Sequence, residues 1–447
     1  MAAAFGRRCF RHKHSLGLIQ LYLRVVLSSA VGFRGAAASL EAVALLFPTE
    51  EQAPSPNGAQ MWVLRLGLYL LSKPKEQADD WVWIIDHTIQ IGPKKCLLIV
   101  GVRLSAWEAK RADQDRSSAL EHDDLSMWLL KPMAKSDGSV VHAELEALSR
   151  KTGIVPCEIL SDCGADLQKG ISLFCAAHPQ ARGMKDIAHA AANAVKRELN
   201  QDTQWEAFLR DASHAKAKLR QTQLAFLLPP DLKAKARWMN LDPLLTWSRK
   251  AIDFVKAPRS VPGVLCDNEE LEAKMGWLRQ YQEPLVSWSE MLEAVATVLT
   301  YVREHGYHAS AKGELQDKLR PFTVRLETPA CRVAERLLTF VAEESAGVQN
   351  KCRFLGSSEV LESLIGKGKQ LEGRQSKSGF TKSVLAMAAS VTKVTEETVH
   401  AALCAIKVQD VAAWVREHLG VTLEAIRHRA FGPGCAEQNW HKQLAAR

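Results

Sequence analysis

The sequence predicts an α/β protein: a mixed sheet, a helical region ahead of it, and a large all-helical insertion before the chain returns to the sheet. Strand-like apolar runs are confined to residues 81–187, and runs with the helical period fill most of the remainder. Within the strand-bearing segment the order is three strands, then helices alternating with two more strands. With 447 residues the chain is too long for one ordinary core. Hydrophobic residues at 47% and charged residues at 24% exclude disordered and fibrous classes. The formal charge of +8 is modest for this length but uneven. Residues 1–48 carry Arg7, Arg8, Arg11, Lys13, Arg24 and Arg34 against Glu41 alone, a bias that suits a polyanionic partner.

Ser15 to Ser29 reads as an amphipathic helix, Gly32 to Gly35 as a turn, and Ala36 to Leu46 as a second helix. In PSPNGAQMWVLRLGLYLL, Ser55 is an N-cap and Pro56 the first helical residue of a third. Short helices with tight turns and a basic flank fit a helix-turn-helix region over residues 1–76. There Asn57, Gln60 and Arg65 would face base edges, while Arg7, Arg8, Arg11, Lys13 and Arg34 contact phosphates. A small helical bundle with a solvated basic face is the alternative. The apolar run after the basic start is interrupted by Gln20 and Arg24, which argues against a cleaved presequence. No segment approaches the roughly 20 apolar residues needed to span a bilayer.

WVWIIDHTIQI and KKCLLIVGVRLS form a hairpin, Trp81 to Ile91 and Cys96 to Ser105, and Met127 to Met133 a third strand. A helix from His142 to Thr152 stops at Gly153. A short apolar strand then ends at Asp162, and a helix runs to Ala177. Met184 to Ile187 and a helix to Leu199 complete residues 77–199. This order is the ribonuclease H arrangement, in which the centre of the first strand and the end of the fourth lie side by side, so that Asp86 meets Asp162. Two carboxylates so placed repel unless a cation lies between them. Hard oxygen ligands suit Mg²⁺ or Mn²⁺, and two such ions about 3.5 to 4 Å apart can serve phosphoryl transfer.

Residues 200–350 read as almost wholly helical, an insertion with helices at Gln204 to Ala225, Lys233 to Lys256, Asn268 to Gln280, Pro284 to His305 and Pro329 to Ala346. HAKAKLRQTQ and KAKARWMN mix basic and aromatic residues in a manner that suits DNA ends. Trp205, Trp238, Trp247, Trp277 and Trp288 read as core. Residues 351–390 return to the sheet with GSSEVLESLIGKGKQL, a helix whose Val360, Leu361, Leu364 and Ile365 dock inward. Its Glu362 is the third carboxylate, with Glu359 the alternative, and Lys369 lies two turns on along the same face. Residues 391–447 are read as C-terminal helices.

IIDHTIQIG, LSDCGADLQKG and SSEVLESLIGKGKQL, followed by GFTKSVLAMAASV, resemble the DDE transposases of bacterial insertion sequences over essentially the whole chain. The resemblance implies a ribonuclease H-like core with Asp86, Asp162 and Glu362 as catalytic and metal-binding triad, and two Mg²⁺ or Mn²⁺ ions. It implies DNA as partner, both terminal inverted repeats and target, a homodimer or higher assembly on DNA, and a cytoplasmic, nucleoid-associated location. The Tyr and Arg that one superfamily places ahead of the Glu are absent, Leu355 and Ser358 standing there. A DNA-binding protein with an inactive transposase core is the alternative function. Asp186 and His189, in KDIAH, are expected beside the metals as supporting residues or as a structural pair; Asp166 is read as an extra ligand or a helix cap.

Ten cysteines occur with no CxxC pair and no His/Cys cluster at zinc-finger spacing, so the spacing signals neither a structural zinc site nor a disulfide framework.

Overall fold

The computed structural model describes residues 7–431 apart from 11, 30, 47–51, 92–93, 114–117, 232–237, 239–240, 259–266, 374–380 and 422. It divides into two compact units, one of residues 1–183 with 358–447 and one of residues 184–357.

The first unit opens with helices α1 (Leu16–Ser29), α2 (Phe33–Leu46) and α3 (Pro56–Ser72). Ser55 caps α3 by accepting from the Gly58 amide, with Pro56 at the first position, as the sequence predicts. The sheet follows: β1 (Trp81–Ile91), β2 (Lys94–Arg103), α4 (Leu104–Ala112), β3 (Ser126–Met133), α5 (Gly138–Thr152), β4 (Glu158–Ser161), α6 (Ala165–Ala177) and β5 (Arg182–Lys185). Strand order is β3-β2-β1-β4-β5, with β1 antiparallel to β2, β2 antiparallel to β3, and β1 parallel to β4. The sheet is therefore mixed, with β1 at its centre. Trp81 to Ile85 are all buried, which is why that run is continuously apolar instead of alternating. Trp81, Trp83 and Ile85 share a core with Val141 and Leu145 of α5 and Phe174 of α6. Asp137 caps α5 through the Ser139 and Val140 amides, and Gly153 closes it at φ 71°, a left-handed conformation that suits glycine.

The second unit is helical: α7 (Ile187–Leu199), α8 (Thr203–Leu219), α9 (Asp242–Lys256), α10 (Asn268–Met275), α11 (Gln282–His305), α12 (Ala311–Thr323) and α13 (Pro329–Ser345). Trp205 and Trp288 are almost fully buried and cross edge to face at 4.8 Å, with Phe208 against both. Trp238, Trp247 and Trp277 are only half-buried. The expected helix from Lys233 begins at Asp242, and most of KAKARWMN lies outside the described residues. The ends of this unit meet: the Ile187 amide donates to the Gly356 carbonyl at 2.9 Å.

The chain rejoins the first unit as α14 (Glu359–Gly373), α15 (Leu385–Ala389), α16 (Glu396–Ala405), α17 (Val408–His418) and α18 (Leu423–Phe431). α14 packs on β1, while α3 packs on α2, α15, α16 and β3. α3 is thus enclosed on most sides, nine of its seventeen residues being buried. No helix among the described residues is long and apolar enough to cross a membrane.

Candidate active site

The pairing of β1 with β4 sets the geometry. Ile85 is paired with Ser161, so the next residues along these parallel strands are Asp86 and Asp162. Neighbouring strands run about 4.8 Å apart, and matched positions project to the same face. The odd-numbered residues of β1 face α5 and α6. His87 continues that face, its Nε2 meeting Ser136 Oγ at 2.8 Å and its Nδ1 lying 3.6 Å from Asp166. Asp86 therefore belongs to the opposite face, the one left to α14.

Each aspartate is oriented by the backbone. The His87 amide donates to Asp86 Oδ1 at 2.6 Å, and the Gly164 amide to Asp162 Oδ1 at 2.9 Å. Both carboxylates are half-buried where the sheet's apolar interior ends. On α14 the buried stripe is Val360, Leu361, Leu364, Ile365, Gly368 and Leu371. At 100° per residue Glu362 borders that stripe, whereas Glu359 points further from it. One carboxylate oxygen of Glu362 is shielded from solvent. Lys369, seven residues on, projects from the same flank and is exposed.

Asp86 and Asp162 follow the last paired residues of β1 and β4, and Glu362 lies on α14, which packs on β1; carboxylates are donors of the type hard divalent cations take. They do not converge on one point: Asp86, Asp162 and Glu362 are not all within 4.8 Å of one another.

Asp166, read as an extra ligand or a helix cap, has a partner of its own. Asp166 forms an ion pair with Lys95 at 2.9 Å. Burial pushes its carboxyl up, but the Lys95 hydrogen bond and the charges of His87 and Lys95 hold it below the usual carboxylate range. Burial lowers the His87 pKa against the pull of Asp166. Asp186 and His189 belong to the helical unit. There fully buried Asp186 is the N-cap of α7, accepting from the His189 amide and meeting its ring Nδ1, each at 2.9 Å.

The N-terminal expectations need correction at α3. Arg65 is 7% exposed, and its guanidinium donates to the carbonyls of Ile406 and Leu403, so it faces no groove. Gln60 is half-buried and donates to Ser383 Oγ. An enclosed helix cannot enter a DNA groove, which removes α3 as a recognition helix. Asn57 and Arg34 are exposed. Arg8 is exposed in an antiparallel bridge with Ser15, Lys13 donates to Gln52, and Arg7 pairs with Glu396 at 2.6 Å. Arg11 lies outside the described residues.

Sequence reasoning missed a basic cavity of about 520 Å³ on the other flank of α14, lined by Arg24, His122, Asp123, Lys367, Lys393 and Thr395 among others. Lys393 pairs with Asp123 at 2.6 Å, and burial lowers the Lys367 pKa. The only sequence signal was the GKGK dipeptide repeat in the Glu-bearing helix. No protein-family model matches the chain, and no curated protein matches it.

Proposed function

We propose that the protein is a DDE transposase, cutting and joining DNA strands at a ribonuclease H-like site formed by Asp86, Asp162 and Glu362. The observation that carries this reading is the β1–β4 register, which makes Asp86 and Asp162 the next residues along two paired parallel strands, with α14 packed on β1.

Asp86, Asp162 and Glu362 would hold two divalent ions, which when bound supply Lewis-acid activation and charge neutralisation for phosphoryl transfer. The protein's own part is mainly positioning. The His87 and Gly164 amides fix the carboxylate directions, and the rigid, buried β1 keeps Asp86 from rotating away. Lys369 on the flank of Glu362 holds a DNA phosphate beside the reacting centre. Lys367, Arg24 and Lys393 around the basic cavity suit a further phosphate of the same strand. DNA contact from the N-terminal region rests on Arg8, Lys13 and Arg34 and on the exposed Asn57 at the start of α3, not on the buried body of that helix.

Strand cleavage of DNA carrying the sequences that flank the coding region tests this. Asp86→Asn and Asp162→Asn each should lower Mg²⁺-dependent cleavage by roughly a thousandfold or more, several kcal/mol of barrier, while binding in a mobility-shift assay persists. Cleavage at wild-type rate in both variants would overturn the assignment. Wild-type protein that binds but never cuts would favour an inactive core.

A further inference from the structure

The sequence spacing of the cysteines hides a cluster that folding assembles in the first unit. One ligand atom from each of Cys9, His400 and Cys404 lies within 4.8 Å of the other two. His400 and Cys404 are one turn apart on α16 and so share a face. Cys9 comes from the N-terminal segment and is 4% exposed. That segment is held in place by the Leu16 amide donating to the Arg7 carbonyl at 2.8 Å, and by the Arg7 ion pair to Glu396 in the first turn of α16.

We propose that Cys9, His400 and Cys404 form a zinc-binding site. Two sulfurs and an imidazole are borderline-soft donors, which select Zn²⁺ and disfavour Mg²⁺, so this site and the carboxylate site take different metals. Tetrahedral zinc, with bonds of about 2.3 Å to sulfur and 2.0 to 2.1 Å to nitrogen, sets neighbouring ligand atoms roughly 3.5 to 3.8 Å apart. Cys404 Sγ and His400 Nε2 stand at 3.7 Å. On binding, two Zn–S bonds and one Zn–N bond form, the two thiols release their protons to solvent, and a water completes the tetrahedron. Arg65, anchored on the carbonyls of Leu403 and Ile406, places its positive charge near both thiols. Zinc there ties the N-terminal segment to α16, residues nearly 400 apart in sequence.

Cobalt titration of the reduced, chelator-stripped full chain tests the site. One equivalent of Co²⁺ should give sulfur-to-metal charge-transfer absorption in the near ultraviolet and the intense visible bands of tetrahedral cobalt, both bleached by Zn²⁺. Cys404→Ser and His400→Ala alter exposed side chains and should weaken cobalt affinity at least tenfold. Asp86→Asn should leave the charge-transfer band intact, since carboxylates give none. A wild-type chain without the band, or a band undiminished in both site variants, overturns the proposal. So does a mass two hydrogens lighter in the zinc-supplied protein, with Cys9 and Cys404 joined as a disulfide.

Discussion

Glu198, at the end of α7, shows how one side chain can tie a helical unit together. It is 6% exposed and accepts from Arg332 at 2.8 Å and from Arg336, both on α13. Burial alone would raise its pKa, but the hydrogen bonds and charges of the two arginines hold it below the usual carboxylate range. The stabilisation is complete above the unfolded value near ~4.3 and fades as pH falls through the lower folded value. Glu198→Gln should cost about 2 kcal/mol at neutral pH. In urea melts the gap to wild type should narrow well below about pH 4; a gap of the same size at about pH 3 would contradict the pairing. The position of Asp86 at the end of a buried apolar run was legible from WVWIID itself. Arg65 was not, because a sequence does not reveal that a helix is covered on most sides, and a buried arginine reads like an exposed one.

At the level of elements, the contact of α3 with α15 is the tightest constraint. All five residues of α15 are buried, and three are alanine. A Cβ on Gly67 would stand 2.0 Å from the Leu385 carbonyl oxygen, a clash with backbone that cannot swing aside. Gly67→Ala should therefore destabilise the first unit by about 1 to 3 kcal/mol or more. Gly313→Ala in α12, where a Cβ meets nothing within 4 Å, should stabilise by about 0.4 to 1 kcal/mol. Thermal melts of the two variants shifting in the same direction would refute this contrast. The hairpin, β3, β4 and most long helices were legible from periodicity and caps. α12 was not: AKGELQDKLRPFT carries Gly313 and Pro321, so it reads as a loop. Leu315 and Leu319, packed in the unit's core, make it a helix.

For the whole molecule, strand-forming and helix-forming runs occupy separate stretches of the sequence, but the helical unit begins at residue 184 and takes in α7, which the sequence pattern groups with the sheet in residues 77–199. The cluster of Cys9, His400 and Cys404 was not legible, since it is brought together only by the return of the C-terminal helices. Residues 184–357 have their own aromatic core and ends that meet in a hydrogen bond. Expressed alone they should fold, giving a sigmoidal loss of helical circular dichroism on heating; a broad, gradual loss would show that the insertion depends on the rest of the chain.

The indoles of Trp81 and Trp83 lie 5.0 and 5.3 Å from that of Trp128, all on the core side of the sheet that carries Asp86. Chromophores this close share their excited states, and the resulting exciton signal depends on the mutual tilt of the rings. The sheet consequently bears an intrinsic optical label, sensitive to the register of β1, β2 and β3 and separable from the absorption of the surrounding helices.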